Sequence, residues 1–295
     1  MTGIHDYSID SLLTNTLKAL EVKQIEHGEL SYILSGGHLV FSDKNNLLIK
    51  IARADRDPKK RYKNLVKEMS VSQALIDTEL VTAPFVNEII TIADLPATVW
   101  RWETGVTYSE HEITLAHLLA ATEQAQKLHT ELARHPDLVK EKTNFNKHQR
   151  RWLKTVKKLD LSQPVAQEVR RLAELNLQPI EPNSPFVAIH GDLHMGNAIF
   201  TNSGAIKFCD LENVLYGEPE YDFGVLIGVA QRRGTNQQTI NEYVNILSQN
   251  GYDCEKIIEY AKRVAIFGMI GNVNEEHYEK AELRLNSYLN TALYR

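Results

Sequence analysis

The stretch Val187-Ala-Ile-His190-Gly191-Asp192-Leu-His194-Met-Gly196-Asn197-Ala198-Ile-Phe-Thr-Asn-Ser-Gly-Ala-Ile-Lys-Phe-Cys-Asp210 decides how this chain is read. Phe186 to Ile189 form a short apolar strand that stops at His190. Ala198 to Thr201 and Ala205 to Cys209 read as two strands, with Asn202-Ser203-Gly204 as the turn between them. Asn197 stands just before the first of these strands and Asp210 just after the second. Antiparallel pairing therefore predicts that both lie at one open end of the hairpin, roughly 5 Å apart at Cβ. Two oxygen-bearing side chains so placed suit Mg2+, which takes oxygen ligands at about 2.1 Å. Asp192 lies in the loop that feeds the same end and is free to take a proton. A base beside a carboxamide–carboxylate metal site is the minimum equipment for phosphoryl transfer.

The spacing His190-x-Asp192-x-x-x-x-Asn197, then Asp210 after a hairpin, resembles the catalytic core of the aminoglycoside phosphotransferase and choline kinase-type family, distant relatives of the protein kinases. The resemblance runs from about Glu21 to about Ile227. It implies an α+β, bilobal protein-kinase-like fold. The N-lobe, residues 1–102, would hold a five-stranded antiparallel sheet and one main helix; a larger, mostly helical C-lobe would take residues 103–295. It also implies Asp192 as base, Asn197 and Asp210 on Mg2+, and ATP in the cleft, with GTP as the other candidate. His190 would support the loop. His194 belongs to the family's usual loop wording and either approaches a phosphate or packs the loop. Cys209 replaces the more usual aliphatic residue before the metal aspartate.

Composition frames this reading. The chain has 295 residues, 43% of them hydrophobic, enough for a sizeable core and two domains. With 33 basic and 38 acidic residues, the net charge of −5 gives no general reason for nucleic acid or membrane binding. Cys209 and Cys254 form no CxxC pair, which fits a reducing compartment without structural zinc. No apolar run approaches the roughly 18 residues of a membrane span. The N-terminal residues lack the pattern of a secretory signal. These features predict a cytoplasmic enzyme acting on a small molecule, as a monomer or homodimer.

Upstream, Ser8 to Leu20 reads as an amphipathic helix. Val22 to Ile25, Leu30 to Leu34, His38 to Phe41 and Leu47 to Ala52 read as strands. Ser35-Gly36-Gly37 is either a plain turn or a backbone cradle for phosphate; the resemblance favours the cradle, with the segment around Gly28 to Ser31 as a competitor. Lys50 interrupts an apolar strand, so its charge needs a partner. A helix beginning at Pro58 and running to about Asp77 offers Glu68 on its inner stripe. A Lys50–Glu68 pair gripping the nucleotide phosphates is the expectation; a snorkelling lysine and a solvent-facing glutamate are the plain alternative. Pro84 to Ile92 and Pro96 to Trp102 read as two further strands. The resemblance assigns Trp100, Arg101 and Trp102, through Glu103, to the hinge that meets adenine; core packing is the other use of the tryptophans.

The second half reads as helical. Thr114 to Leu132 carries a buried stripe in which His129 is a satisfied core histidine. The basic helix over Phe145 to Leu159 is read as a solvated face. Asp222 matches the family aspartate that opens a helix, accepts hydrogen bonds from the catalytic loop and caps that helix. Glu212, Glu218, Glu275 and Glu276 are candidates to line a pocket for a polycationic acceptor, with ordinary solvated surface as the alternative.

Three functions compete. An ATP-dependent kinase for a small-molecule hydroxyl, either an aminoglycoside-like antibiotic or a metabolic sugar, choline or amino-alcohol, gives every residue above a role. A metallohydrolase built on His190-x-Asp192-x-His194 leaves Lys50, Glu68, Asn197 and Asp210 without one. A non-catalytic kinase-like binding protein would sit better with Asp192 or Asp210 missing, and both are present.

Overall fold

A computed structural model of the protein describes residues 8–35, 38–53, 57–108, 112–139, 145–177 and 186–291. The chain opens with helix α1 (Ile9–Val22), strands β1 (Ser31–Ser35), β2 (His38–Ser42) and β3 (Leu47–Ala52), then α2 (Pro58–Ala74). Strands β4 (Ile90–Ile92), β5 (Leu95–Arg101) and β6 (Gly105–Thr107) follow. Helices α3 (Leu115–Ala133), α4 (Phe145–Val156) and α5 (Pro164–Asn176) lead to β7 (Val187–Ile189), β8 (Ala198–Thr201), β9 (Ile206–Phe208) and β10 (Leu215–Gly217). The chain ends with α6 (Pro219–Arg232), α7 (Gln237–Gln249), α8 (Cys254–Asn274) and α9 (Tyr278–Asn290). No described helix is long and apolar enough to cross a membrane.

These elements form two compact units. The first comprises Met1–Val106 and Ile199–Asn213, so the hairpin that ends in Asp210 belongs with the N-terminal sheet and not with the C-terminal helices. The five-stranded sheet has the order β1-β2-β3-β5-β4, with every pairing antiparallel. Strand alternation explains its core: Ile49 and Ile51 are wholly buried with Phe41, Leu47 and Val99, while Lys50 between them faces the other side. Register sets Lys50 opposite Val40 on one flank and Thr98 on the other.

Asp43 organises the turn before β3. Its carboxylate accepts backbone N–H bonds from Gly28, Asn45, Asn46 and Leu47. Burial opposes its charge, yet these amides outweigh it and hold the carboxyl down to about 2.

Two expected strands are absent or short. Val22 ends α1, and Gln24 turns left-handed at φ 55°, so Val22 to Ile25 make no strand. From Pro84 to Ile92 only Ile90–Ile92 forms a strand; Pro84 makes one isolated bridge to Trp100, and the Phe85 and Val86 N–H groups both donate to the Val99 carbonyl as the chain bends. Proline has no N–H to extend the ladder. Ala93 and Asp94 both take positive φ, the geometry of a tight two-residue hairpin turn.

The second unit comprises Thr107–Ala198 and Val214–Arg295. Helix α6 is buried from Glu220 to Ala230. It lies close against α8 because Gly224 and Gly228 lack side chains; a Cβ at Gly224 would fall 2.5 Å from Tyr260 Cβ and 2.9 Å from the Ile257 carbonyl oxygen. β7 and β10 pair antiparallel and hold the two ends of the segment that contains the His190–Asn197 loop.

Candidate active site

In the helical unit the loop after β7 is built around one carboxylate. Asp222 Oδ2 accepts the His190 backbone N–H at 2.8 Å, and Oδ1 accepts the Gly191 N–H at 2.9 Å. His129 Nε2, from α3, bonds the same Oδ2 at 2.8 Å. Asp222 is wholly buried, so three donors compensate the loss of water. It does not cap its helix: α6 begins at Pro219, and Asp222 lies inside the first turn. The reason was already in the sequence, since proline favours the first helical position.

With its entry thus fixed, the loop closes on itself. His190 Nδ1 accepts the Asp192 N–H at 3.3 Å, and His194 Nδ1 accepts the Gly196 N–H at 3.0 Å. Asn197 Nδ2 donates to the Asp192 carbonyl at 3.0 Å. The two histidines thus spend their δ nitrogens on backbone amides. His190 is buried and His194 half-buried. That arrangement suits loop support and counts against a histidine metal site. Asp192 is half-buried and Asn197 buried. β8 begins directly after Asn197, and β9 ends two residues before Asp210.

In the sheet unit a second network forms around Glu68. Lys50 Nζ lies 2.7 Å from Glu68 Oε1 and 3.1 Å from Asp210 Oδ1. The Asp210 N–H donates to the same Glu68 oxygen at 3.0 Å. Asp210 takes a left-handed φ of 63°, a conformation aspartate tolerates better than most residues. The Lys50 ammonium is buried, which disfavours its charge, but Asp210 and then Glu68 hold it above the ordinary lysine range. Burial pushes the Glu68 carboxyl upward and the adjacent Cys209 thiol up to about 12. The Asp210 side chain remains 33% exposed against 1% for Glu68, so Asp210 is the carboxylate that reaches solvent.

Other expected residues fall elsewhere. Trp100 and Arg101 lie inside β5, not in a connecting hinge. Trp100 is core, with its indole N–H on Thr98 Oγ1, and its ring lies 5.8 Å from Lys50 Nζ. The Arg101 and Trp102 amides already donate to the Ala83 and Asn46 carbonyls, so neither is left for a base. Gly36 and Gly37 lie outside the described residues; Ser35 ends β1.

The four glutamates have different surroundings within their own units. Glu212 is mostly buried, 3.7 Å from Arg61 and 3.8 Å from His38 in the sheet unit. Glu218 is buried in the helical unit, paired with Lys256 and accepting the Tyr260 hydroxyl at 2.5 Å. Glu275 and Glu276 are exposed at the end of α8. Sequence reading missed His129 as the partner of Asp222. Its only signal was a histidine on an otherwise apolar helix face.

An antiparallel sheet with a strand lysine paired to a helix glutamate, a hairpin-borne aspartate, and a His-x-Asp loop anchored on a helical unit define a protein-kinase-like phosphotransferase. Residues 38–260 match the model of the phosphotransferase enzyme family, APH, and the chain belongs to that family. It is accordingly an enzyme that transfers a phosphoryl group to a hydroxyl of a small molecule. No curated protein sequence matches the chain. Among solved structures it is similar to the GDP complex of aminoglycoside 2'-phosphotransferase-IIIa, at 14% identity and TM-score 0.70, covering 94% of this chain and 98% of that one. It is also similar to the amicoumacin kinase hAmiN in complex with AMP-PNP, Ca2+ and Ami, at 14% identity and TM-score 0.66, with 97% of each chain covered. The choline kinase LicA from Streptococcus pneumoniae matches at 16% identity and TM-score 0.59, over 94% of this chain and 99% of that one. At these identities the likeness is one of fold.

Proposed function

We propose that the protein is an ATP-dependent kinase that phosphorylates a small-molecule hydroxyl, with Asp192 as the base that orients and deprotonates the acceptor. Lys50, held by Glu68, grips the nucleotide phosphates, and Asn197 and Asp210 are the oxygen ligands for Mg2+. His190, His194 and Asp222 shape the loop. The single observation that carries this reading is the Lys50–Glu68–Asp210 network, which gathers a charged lysine and a solvent-reaching carboxylate at 3.1 Å. Such a pair separates readily when a polyphosphate and its metal ion arrive, since the lysine exchanges one anion for another. The donor-oxygen chemistry of Asn197 and Asp210 fits a hard cation such as Mg2+, which when bound neutralises phosphate charge. Similar structures solved with AMP-PNP and Ca2+ or with GDP are consistent with nucleotide use. The same proposal takes the enzyme to be cytoplasmic, from its two cysteines without a CxxC pair, and a monomer or homodimer; the near-balanced charge supports its having no nucleic-acid or membrane partner.

Positioning does most of the chemistry. Asp192 sits on a loop whose amides are fixed by Asp222 and whose carbonyl is fixed by Asn197. Asp192→Asn should therefore lower kcat by about 10²-fold or more while leaving nucleotide affinity in place. Steady-state ADP release together with calorimetric nucleotide binding reads both quantities. Turnover near wild type would remove Asp192 from its role.

A further inference from the structure

The loop from His190 to Asn197 is anchored at its start and tied to itself along the way. Asp222 takes the His190 and Gly191 amides. Beyond them, His194 Nδ1 accepts the Gly196 N–H, the His194 carbonyl accepts the Asn197 N–H at 2.8 Å, and Asn197 Nδ2 donates to the Asp192 carbonyl. These bonds fix the shape of the second half, but they join loop atoms to loop atoms. The chain leaves the helical unit directly afterwards, since Ile199 already belongs to the sheet unit. Holding Asn197 in register with Asp192 therefore calls for a tie to the helical unit just before that exit.

Such a tie lies at the other end of the helix that carries Asp222. Arg233 closes α6, with its backbone N–H on the Val229 and Ala230 carbonyls. Its Nη1 donates to the Tyr108 carbonyl at 2.9 Å, across 125 residues of sequence. The Tyr108 N–H in turn donates to the Met195 carbonyl at 3.2 Å. Arg233 Nη2 also lies beside the loop backbone: a Cβ built on Gly196 would fall 3.6 Å from it. Tyr108 is braced from a further direction. Its ring lies on that of His117, with centroids 3.8 Å apart, and His117 exchanges hydrogen bonds with Thr114 at the start of α3. Met195, which receives this strut, is wholly buried, as is Leu193, so lifting the loop there would expose both side chains.

A cation at the C-terminal end of a helix is ordinary when it faces water, because it meets the partial negative charge of the last carbonyls. Arg233 is placed more specifically. Its guanidinium is directed at the carbonyl of a residue outside the helix, and the amide of that same residue holds the loop. Resting on the kinase reading above, we propose that Arg233 is a positioning residue for phosphoryl transfer: through Tyr108 and Met195 it fixes the Gly196–Asn197 end of the loop, and with it the place from which Asn197 offers its side-chain oxygen to Mg2+. Asp222 and Arg233 make α6 a splint for both halves of the loop. A guanidinium suits the second position because its bond to a carbonyl is charge-assisted, and its planar fork leaves Nη2 to rest against the loop while Nη1 donates.

The test uses the full chain and compares Arg233→Gln, Arg233→Lys and, as a control, Arg232→Gln. Arg232 precedes it, and its guanidinium lies over Gly268 of α8, 3.6 Å from a Cβ built there. Both arginines are exposed, so the variants fold. Amide hydrogen exchange, followed residue by residue by NMR, reads the loop directly. In Arg233→Gln the amides of Met195 to Asn197 should exchange about ten-fold faster, while those of His190 and Gly191, held by Asp222, should exchange as in wild type. Arg233→Lys keeps a charged donor and should recover part of the protection; Arg232→Gln should lose none. The second measurement is calorimetric binding of AMP-PNP with Mg2+ and with EDTA. Arg233→Gln should cut the gain in affinity that Mg2+ brings by about five-fold and leave the metal-free affinity as it was, whereas a role in stability alone would move neither. The proposal is overturned if Met195 to Asn197 exchange at the wild-type rate, if the His190 and Gly191 amides speed up equally, or if Mg2+ strengthens AMP-PNP binding in Arg233→Gln as much as in wild type. A wild-type protein whose AMP-PNP affinity ignores Mg2+ would instead sink the metal role of Asn197 in the kinase reading, and the exchange rates would then decide whether Arg233 holds the loop.

Discussion

Glu68 and Asp222 are both buried carboxylates, and the contrast between them separates what holds this protein together from what works. Asp222 uses both oxygens, on two loop amides and His129. Glu68 uses one oxygen twice, for Lys50 and for the Asp210 amide, while its Oε2 has no hydrogen-bond partner among the described residues. A saturated buried carboxylate is rigid, because every rearrangement breaks a bond that water cannot replace. An unsaturated one, joined to a lysine that is shared with a more exposed aspartate, can exchange partners. The helical unit therefore presents its loop on a fixed mount, and the sheet unit keeps a movable charge.

The largest effect that would break this contrast comes from Asp222→Ala. It leaves two amides and a buried histidine without their acceptor and should cost about 3–5 kcal/mol of stability, read by denaturant unfolding, with turnover lost. An unchanged unfolding midpoint would show that Asp222 is not the mount.

A smaller effect arises beside the Glu68 network. Burial, aided by the charge of Lys50 and opposed by Asp210, holds His38 down to about 4, so it is neutral in the folded chain. The unfolded chain protonates it below about 6.5. Stability should therefore fall as pH drops from about 6.5 to about 4, by up to roughly 3 kcal/mol, and this component should be level on either side. His38→Gln should flatten that part of the unfolding profile; an identical profile would discount the buried histidine.

The smallest effect sharpens the contrast. Glu68→Gln keeps an acceptor for the Asp210 amide, and Lys50 keeps Asp210 at 3.1 Å. Stability should change by less than about 1 kcal/mol while kcat/KM for the nucleotide falls about ten-fold. A stability loss as large as that of Asp222→Ala would erase the distinction between the two networks.

Much of this was legible in the chain itself. The strand Leu47–Ala52 falls at the bounds its apolar run predicts, and alternation puts Lys50 on the face opposite Ile49 and Ile51. A helix seeded at Pro58 then carries Glu68 to Lys50. Errors came where local signals were ambiguous. Val22 is apolar and 82% exposed, so its hydrophobicity signalled a strand that the chain does not form. The Trp100–Trp102 segment reads as apolar connector or strand alike, and sheet pairing with β3 settles it.

What the sequence determined by itself is short-range. The spacing of His190, Asp192 and Asn197, the hairpin before Asp210 and the periodicity of strand and helix all depend on neighbours a few residues apart. What only the tertiary structure decided is the partner of each charge. Glu218 is drawn into a pair with Lys256, 38 residues on, and Arg232 meets Arg284 across helices packed on α8. Side-chain periodicity fixes which face a residue occupies, whereas the charge that faces it depends on how helices far apart in sequence pack.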